Sequence, residues 1–308
     1  MTLRNNTARG AAYMLCATLL FALMWVFVKQ ATERGVHFVE IMLFRNMIAI
    51  APTLVIVARA GGGWPMLRTA YPLRHLSRAV TGLGAMATNF FALSVLPIAD
   101  TTALMYGTPL FVTLLSIPLL GEKVGIWRWS AVIVGFTGIL LIAISQGAFS
   151  GAQAAGALAT AATIAGVSHG LFSALTQLLV RQLSATDHTA SIVLWQSVLM
   201  TLIVVLFVPF VWSGQVLAAL PLLITVGLIG GVAQFLLTEA YASAEASALG
   251  AYSYTSILWA ALFGWLVWGD VPASGFFAGA GLIIASGLVI LHRERVRRVR
   301  RLSRDIRA

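Results

Sequence analysis

Charged residues are scarce in this sequence. Only 10% of its 308 residues are charged and 59% are hydrophobic, and the mean hydropathy is +0.92. Soluble domains carry about 25% charged residues, so this chain has too little polar surface to cover a particle in water. A spanning helix needs about 20 apolar residues and connections are usually short, which predicts about ten spans and no large soluble domain.

Cysteine is almost absent as well. The single one, Cys16, lies in the first apolar run, so the sequence excludes a disulfide framework and a cysteine-based metal site. We expect no metal and no cofactor. The sequence also lacks a His-rich loop, a paired acidic motif and a nucleophile–base spacing. An intramembrane enzyme acting on a lipid-linked substrate is therefore the weaker alternative, and the absence of rings of charge disfavours a pore.

Long apolar runs occupy most of the chain. They are about twice as long as the strands of a membrane β-barrel and do not alternate between apolar and polar positions. Only a helix satisfies its own backbone groups in lipid, so the runs predict an all-α membrane protein with ten transmembrane helices. The runs fall at 10–28, 38–58, 76–96, 99–120, 126–145, 154–179, 189–212, 217–241, 246–268 and 273–291.

The basic residues predict the orientation of the chain. With ten crossings and a cytoplasmic N-terminus, 17 of the 20 basic residues, Arg78 among them, fall in cytoplasmic segments, and only Lys29 and Arg34 fall outside. This bias obeys the positive-inside rule and predicts the cytoplasmic (inner) membrane, with both termini in the cytoplasm. Eight arginines lie in 293–308, which we interpret as a basic cytoplasmic tail that touches anionic membrane lipid. No nucleic-acid partner is expected, and the oligomeric state stays unknown.

An internal repeat relates the two parts of the chain. Ala92–Ile142 is similar to Ala240–Ile290, with Gly121-Glu122 matched by Gly269-Asp270. The repeat predicts two five-helix halves, residues 1–148 and 149–292. Because five is an odd number, consecutive halves enter the membrane with opposite orientation. Inverted repeats of this kind are typical of secondary transporters, which bind small molecules near the bilayer midplane between the halves.

Several polar residues lie inside the predicted spans. Arg45 is the one basic residue that the count of basic residues places inside a span rather than in a connection, and it lies in the second span. A charge at this depth costs on the order of 2–3 kcal/mol, so Arg45 is either an anchor for an anionic substrate group or a structural hydrogen-bond donor. Asn89, Gln196 and Gln234 lie near mid-membrane. Each bonds a neighbouring helix or a substrate, and as a set they predict a polar cavity.

Aromatic and titratable residues complete the candidate site. Tyr106, Tyr252 and Tyr254 fall in the fourth and ninth spans, the pair related by the repeat. Tyrosine can stack on a planar substrate and donate a hydrogen bond, or it can simply pack. His169 and Glu239 are candidates for proton coupling. Histidine titrates near neutral pH, and the pKa of a desolvated glutamate can be raised. The alternatives are a packing histidine and a solvated carboxylate.

Motifs spread over nearly the whole chain resemble one family. They are EIMLFRN at Glu40–Asn46, FALSVLPIADTTAL at Phe91–Leu104, LLGEKV followed by RW within Leu119–Trp129, and GFTG at Gly135–Gly138. In this order they are similar to EamA-type ten-helix members of the drug/metabolite transporter superfamily, in the branch of S-adenosylmethionine and riboflavin carriers and metallophore exporters. The resemblance implies a secondary transporter that moves a small organic metabolite by alternating access. It leaves an amino-acid derivative, an S-adenosylmethionine-like compound and a flavin-like compound open as substrates.

Overall fold

The computed structural model describes most of the chain as helix. The described residues are 7–59, 68–105, 107–108, 110–112, 114–115, 126–145, 154–183, 186–187, 189–243, 252 and 254–305. Within these ranges the protein contains no strand. The predicted all-α class is confirmed to that extent.

Most helices follow the predicted apolar runs, but only the start of run 99–120 and the end of run 246–268 are long described helices, and a short separate helix lies within run 189–212. The helices are α1 Thr7–Glu33, α2 Phe38–Arg59, α3 Pro72–Val95, α4 Ile98–Met105, α5 Ile126–Ser145, α6 Ala154–Leu183, α7 Thr189–Val205, α8 Val208–Val211, α9 Leu220–Ser243, α10 Thr255–Trp268 and α11 Ser274–Asp305. Helix α11 runs on through the basic segment, so the backbone of 293–305 is helical.

Length and composition allow several of these helices to cross a bilayer. Among the described residues, four segments are both long and apolar enough: Ala8–Glu33, Phe38–Val55, Gly156–Val180 and Leu220–Leu237. Shorter apolar stretches lie within α5, α7, α10 and α11. A bilayer core about 30 Å thick accommodates about 20 helical residues, so these helices make the chain a multi-pass membrane protein.

Two glycines end helices at sharp turns. Gly35, after α1, has φ of 82° and Gly269, after α10, has φ of 71°. This left-handed region favours glycine because a Cβ atom would clash there. At the first turn the Val36 N–H donates to the Ala31 carbonyl over 3.1 Å, which closes the last turn of α1. The chain then reverses within a few residues and starts α2.

Most helices pack against partners that are distant in sequence. The most extensive contacts join α1 to α9, α3 to α6, α5 to α11, α2 to α9, α2 to α7, α1 to α10, α4 to α10, α3 to α7 and α4 to α6. In lipid the hydrophobic effect does not drive helices together, so small residues at the contacts are needed for close packing. In α5 and α11, a Cβ at Gly138 would lie 2.5 Å from the Gly279 carbonyl oxygen. These two backbones therefore touch.

We expect Gly279→Val to destabilise the protein. The added carbons have no room at the α5–α11 contact, and overpacking of a tight interface costs about 1–3 kcal/mol. Thermal unfolding in detergent should show a lower Tm for this variant. Gly281→Val is the matched control on the same helix, because a Cβ at Gly281 meets nothing within 4 Å. Equal Tm values for the two variants would contradict the interface.

The two ends of the helices can be told apart by their contacts. We call the end where α1 stops and α2 starts the Glu40 face. Helix α10 ends at this face, because the Trp268 indole N–H donates to the Glu33 carboxylate over 2.6 Å and Lys29 lies 3.6 Å from Asp270. These side chains are partly exposed, so the contacts contribute little to stability.

The third and fourth helices meet at the same face. A cavity of about 350 Å³ is lined by 97–100, where the chain turns from α3 into the first turn of α4, and by 269–273, between α10 and α11. Helix α3 therefore starts at the opposite end, which we call the Asp187 face. Helix α6 is antiparallel to α3, since His169 contacts Ala85 and Thr176 contacts Thr81. Thus α6 ends, and α7 begins, at the Asp187 face.

Candidate functional site

Arg45 lies in α2 and is held by its neighbour in the chain. Its Nη1 donates to the Asn46 Oδ1 over 3.1 Å. Asn46 is completely buried, and its Nδ2 donates to the Met42 carbonyl at 2.9 Å and contacts the Met86 sulfur of α3 at 3.5 Å. The amide thus fixes the guanidinium and also ties α2 to α3.

The guanidinium of Arg45 faces α1 and α9. A Cβ at Gly230 of α9 would lie 2.8 Å from the Met24 sulfur and 3.5 Å from the Arg45 Nε. This Nε is buried and has no acceptor among the described residues, and no carboxylate of the described residues lies within ion-pair distance of Arg45. A buried cation with an unused donor is costly in a membrane unless an acceptor reaches it.

The middle of α3 carries two further polar contacts. Asn89 is 4% exposed, and its Oδ1 has no donor among the described residues. One turn before it, the Ala85 carbonyl lies 2.8 Å from the His169 Nδ1 of α6. A carbonyl only accepts, so Nδ1 carries the proton and the Nε2 of a neutral His169 is left as an acceptor. Because Asn46 contacts Met86 in the same turn, we call Arg45, Asn46, Asn89 and His169 the central set.

The structure places Gln196 outside this group of contacts. The Gln196 Oε1 accepts a hydrogen bond from the Arg78 Nη1 at 2.5 Å. Arg78 lies two turns before Met86 on α3, so this bond is nearer the Asp187 face. Gln234 is half-buried one turn beyond Gly230 on α9.

The tyrosines and Glu239 lie in other environments. Tyr254 is 6% exposed within an apolar cluster of α4, α5, α10 and α11, and its hydroxyl lies against Gly287 of α11. Tyr252 is 38% exposed, and Tyr106 lies outside the described residues. Glu239 is half-buried beside Ala240, which packs on Met14 near the start of α1. Among the described contacts, none joins these residues to the central set.

A buried ion pair lies at the Asp187 face. The His75 Nε2 of α3 lies 2.6 Å from the Asp187 Oδ2, and the two side chains are 1% and 5% exposed. Next to it the Arg78 guanidinium reaches the Ile192 carbonyl of α7 at 3.5 Å as well as Gln196. The start of α3 is therefore bonded to the start of α7. We call these contacts the Asp187 junction.

The ionisation of Asp187 matches this role. Burial tends to raise the pKa of its carboxyl, but hydrogen bonds from Thr69, His75 and Thr186, with the charge of His75, hold that pKa below its ordinary value of 3.8. A carboxyl whose pKa is lower in the folded than in the unfolded state stabilises the fold above its ordinary pKa. This stabilisation is lost only as the pH falls through the lowered value. Near neutral pH the Asp187 carboxylate therefore keeps its negative charge.

A second buried carboxylate lies at the other end of the molecule. Glu40 has no exposed surface, and it accepts the His37 N–H at 2.8 Å as the third residue of α2 does in a capping box. It also accepts the N–H and the hydroxyl of Ser213, at 2.9 and 2.7 Å. Ser213 precedes α9, so the start of α2 is bonded to the approach to α9. We call these contacts the Glu40 junction.

Sequence reasoning did not find these junctions. His75 and Asp187 are 112 positions apart, and Glu40 and Ser213 are 173 apart, so no local spacing connects them. Arg78 was counted with the cytoplasmic connections, but it lies inside α3 and is 6% exposed. The one available signal was its position just inside the predicted run 76–96.

Apolar helices around a buried polar set define a membrane protein of the transporter class. The chain belongs to the EamA-like transporter family, whose model matches residues 8–144 and again residues 160–292. The resemblance carried by the sequence motifs is therefore confirmed. The family identifies a transporter, and the enzyme alternative gains no support.

Curated relatives match nearly the full length of the chain. It is 28% identical over 287 residues to the pseudopaline exporter CntI of Pseudomonas aeruginosa, covering 91% of this chain and 95% of that one. It is 31% identical over 296 residues to the riboflavin transporter of Rhizobium johnstonii, covering 92% and 91%. It is 24% identical over 260 residues to the S-adenosylmethionine uptake transporter of Rickettsia bellii, covering 84% and 85%.

A solved structure supports the fold. A protein crystal structure superposes with a TM-score of 0.57 at 19% identity, covering 90% of this chain and 96% of that one. At this identity the likeness concerns the arrangement of helices alone.

Proposed function

We propose that the chain is a ten-span secondary transporter that moves a small organic metabolite across the cytoplasmic membrane by alternating access. Residues 1–148 and 149–292 form two inverted five-helix halves, and both termini and the basic segment 293–308 lie in the cytoplasm. The two separate matches to the family model support this division. The bias of basic residues supports the orientation.

The pairing of helices is the observation that carries the proposal. The list of extensive contacts stays the same when each helix is replaced by its counterpart in the other half. The counterparts are α1 and α6, α2 and α7, α3 and α9, α4 and α10, and α5 and α11. The α1–α9 contact becomes α6–α3, α2–α9 becomes α7–α3, and α1–α10 becomes α6–α4. The remaining contacts, α2–α7, α4–α10 and α5–α11, map onto themselves. A pseudo-two-fold axis between inverted halves produces this pattern, and transporters built this way bind substrate near the axis.

The substrate binds at the central set in this proposal, with Arg45 as the anchor for a carboxylate or phosphate. The guanidinium is half-buried and has no carboxylate among its described contacts, so it gains more from an anionic group than from a neutral one. Amino-acid derivatives and S-adenosylmethionine-like or flavin-like compounds remain the proposed substrates, because the names of the relatives cover this chemical range. Asn89 and Gln234 then contact the polar part of the substrate.

The remaining predicted roles stay proposals. Gln196, Tyr106, Tyr252 and Tyr254 are proposed contacts along the substrate path rather than members of the central set. Proton coupling through His169 or through Glu239 is also retained.

Flux measurements test the proposed function. Purified protein in proteoliposomes should show saturable, substrate-dependent flux for at least one compound in a panel of flavins, nucleosides and amino-acid derivatives. Liposomes without protein are the control. No flux for any compound, with protein that is folded by circular dichroism and monodisperse, would count against transport of this class.

Asn46→Ala is expected to weaken substrate binding. Without the amide, the Arg45 guanidinium loses its acceptor at 3.1 Å and α2 loses its contact with Met86. Loss of one charge-assisted hydrogen bond corresponds to about a tenfold rise in KM, with a smaller change in the maximal rate. Asn46→Asp should instead strengthen the hydrogen bond to the Arg45 guanidinium, and the negative charge of the new carboxylate should neutralise the positive charge of Arg45. We then expect binding of anionic substrates to fall more than in Asn46→Ala, and the opposite order would contradict the anchor role.

A further inference from the structure

The Glu40 junction and the Asp187 junction follow the same plan. In each, a residue at or just before the start of the second helix of one half is bonded to a residue at the start of the third helix of the other half, or in the segment that precedes it. At the Glu40 face these are α2 and the segment before α9, and at the Asp187 face they are α7 and α3. The exchange of α2 with α7 and of α9 with α3 converts one junction into the other. They are counterparts at opposite ends of the molecule.

Both junctions are small and polar, unlike the packing between them. Glu40 bonds Ser213 through two donors, and Asp187 bonds His75 through one nitrogen. Nearer the middle of the same helix pairs, glycines give close apolar packing: a Cβ at Gly227 would lie 2.5 Å from the Ile48 Cβ of α2. A few hydrogen bonds at a helix end can break without separating helices that are packed at their centres.

The packing between α3 and α7 is equally close. A Cβ at Gly82 would lie 2.5 Å from the terminal methyl carbon of Met200. Gly82 lies between the Asp187 junction and the central set along α3. Each polar junction therefore lies at the outer edge of a tightly packed helix pair. If one junction opened, the pair would tilt about its packed centre and give access to the central set from that face only.

We propose that the two junctions are the latches of the transport cycle. The Glu40 junction closes the Glu40 face, the Asp187 junction closes the Asp187 face, and each opens while the other stays closed. The proposal rests on the alternating access of the proposed function. It adds the residues that decide which face is open.

The chemistry of the latches makes them strong but separable. Both carboxylates are buried, so each is stable only while its donors are in place, and an unpaired buried charge would cost several kcal/mol. When a face opens, water replaces those donors and the penalty is removed. Closing then restores charge-assisted hydrogen bonds, which are the stronger kind. A latch of this kind has two defined states.

Hydrogen exchange of the full-length protein in nanodiscs tests the proposal without a known substrate. Asp187→Asn keeps the shape of the side chain but removes its charge, and Ser213→Ala removes one of the two donors from Glu40. We expect Asp187→Asn to speed amide exchange at least about fivefold in 76–86 and 193–200, with 41–48 and 223–230 unchanged. Ser213→Ala should give the reverse pattern. If amide exchange changed equally at both faces, or at neither face, the proposal that the two junctions are latches would be rejected.

Two further variants keep the test decisive. Thr176→Val is the matched control, because it also removes a hydrogen bond onto α3, from Thr176 to Thr81 at 3.0 Å, but it lies outside both junctions. Thr176→Val should leave the rate of amide exchange at both faces equal to that of the wild type. If Asp187→Asn does not fold, Thr69→Val removes only one hydrogen bond to Asp187 and should change exchange at the Asp187 face alone. A Thr69→Val protein with wild-type exchange would overturn the Asp187 latch.

The flux assay separates failure of the latches from failure of the proposed function. If the wild type shows saturable flux but the variants change amide exchange equally at both faces, the latch proposal is rejected and the proposed transport function is retained. Face-specific exchange without flux of any panel compound would support the two junctions as closures of their faces but would count against the proposed function.

Discussion

Replacing Arg45 with glutamine should lower the transport rate at limiting substrate by about a hundredfold while the helices stay folded. The reason is the position of the guanidinium, which is bonded to Asn46 and faces Gly230, and whose Nε–H has no acceptor in the part of the chain that the structure describes. Glutamine keeps a polar side chain of shorter reach but removes the positive charge. Initial flux in proteoliposomes, with the compound identified by the panel, measures the effect.

Two controls accompany the glutamine variant. Arg45→Lys keeps the charge but loses the planar fork of donors, so its rate should fall between those of the wild type and of Arg45→Gln. Arg74→Gln removes an exposed arginine that lies over the Tyr71 ring at 4.4 Å, and it should leave flux unchanged. Wild-type flux in Arg45→Gln, or an equal loss in Arg74→Gln, would contradict the anchor.

Truncating Glu40 should produce the largest loss of stability. Alanine at this position removes the acceptor of the His37 and Ser213 N–H groups and the third member of the α2 capping box. Loss of a cap and of a buried acceptor together cost about 3 kcal/mol. The measurement is the Tm of the detergent-solubilised protein.

Glu33 offers a matched control for this experiment. It is also a glutamate at the Glu40 face, but it is exposed and its described bond is to the Trp268 indole. An exposed contact of this kind contributes less than about 1 kcal/mol. Glu33→Ala should therefore unfold close to the wild-type temperature. If the two alanine variants lose the same stability, the burial of Glu40 is not what stabilises the face.

Composition and periodicity predicted the helices but not how they pair. Apolar runs at 10–28 and 38–58 became α1 and α2 because a helix in lipid must satisfy its own backbone, and this constraint is local. The turn at Gly35 is local as well. Which helix contacts which depends on side chains such as Gly138 and Gly279, whose neighbours are far away in the sequence.

The roles predicted for the candidate site residues stay predictions, but the structure shows the surroundings of several of them. Arg45 was evident because an arginine within an apolar run is rare and costly. Gln196 was expected near mid-membrane, but its amide bonds Arg78, a residue assigned to a connection. Tyr254 was chosen for its repeat position, and the structure packs it against Gly287 in an apolar cluster. Polarity alone cannot tell a side chain that faces a substrate from one that faces another helix.

The contact between Gly138 and Gly279 limits how the molecule can move. Two helices whose backbones already touch can roll over each other, but they cannot slide without a clash between main-chain atoms. Relative motion of the two helices is then limited to a rotation about the α5–α11 seam, and helices far from this seam move the most. A rotation of a few degrees there displaces the distant ends of α2 and α7 by far more than it displaces α5. We therefore expect the α5–α11 seam to keep the slowest amide exchange in the protein if the two faces open in turn as proposed.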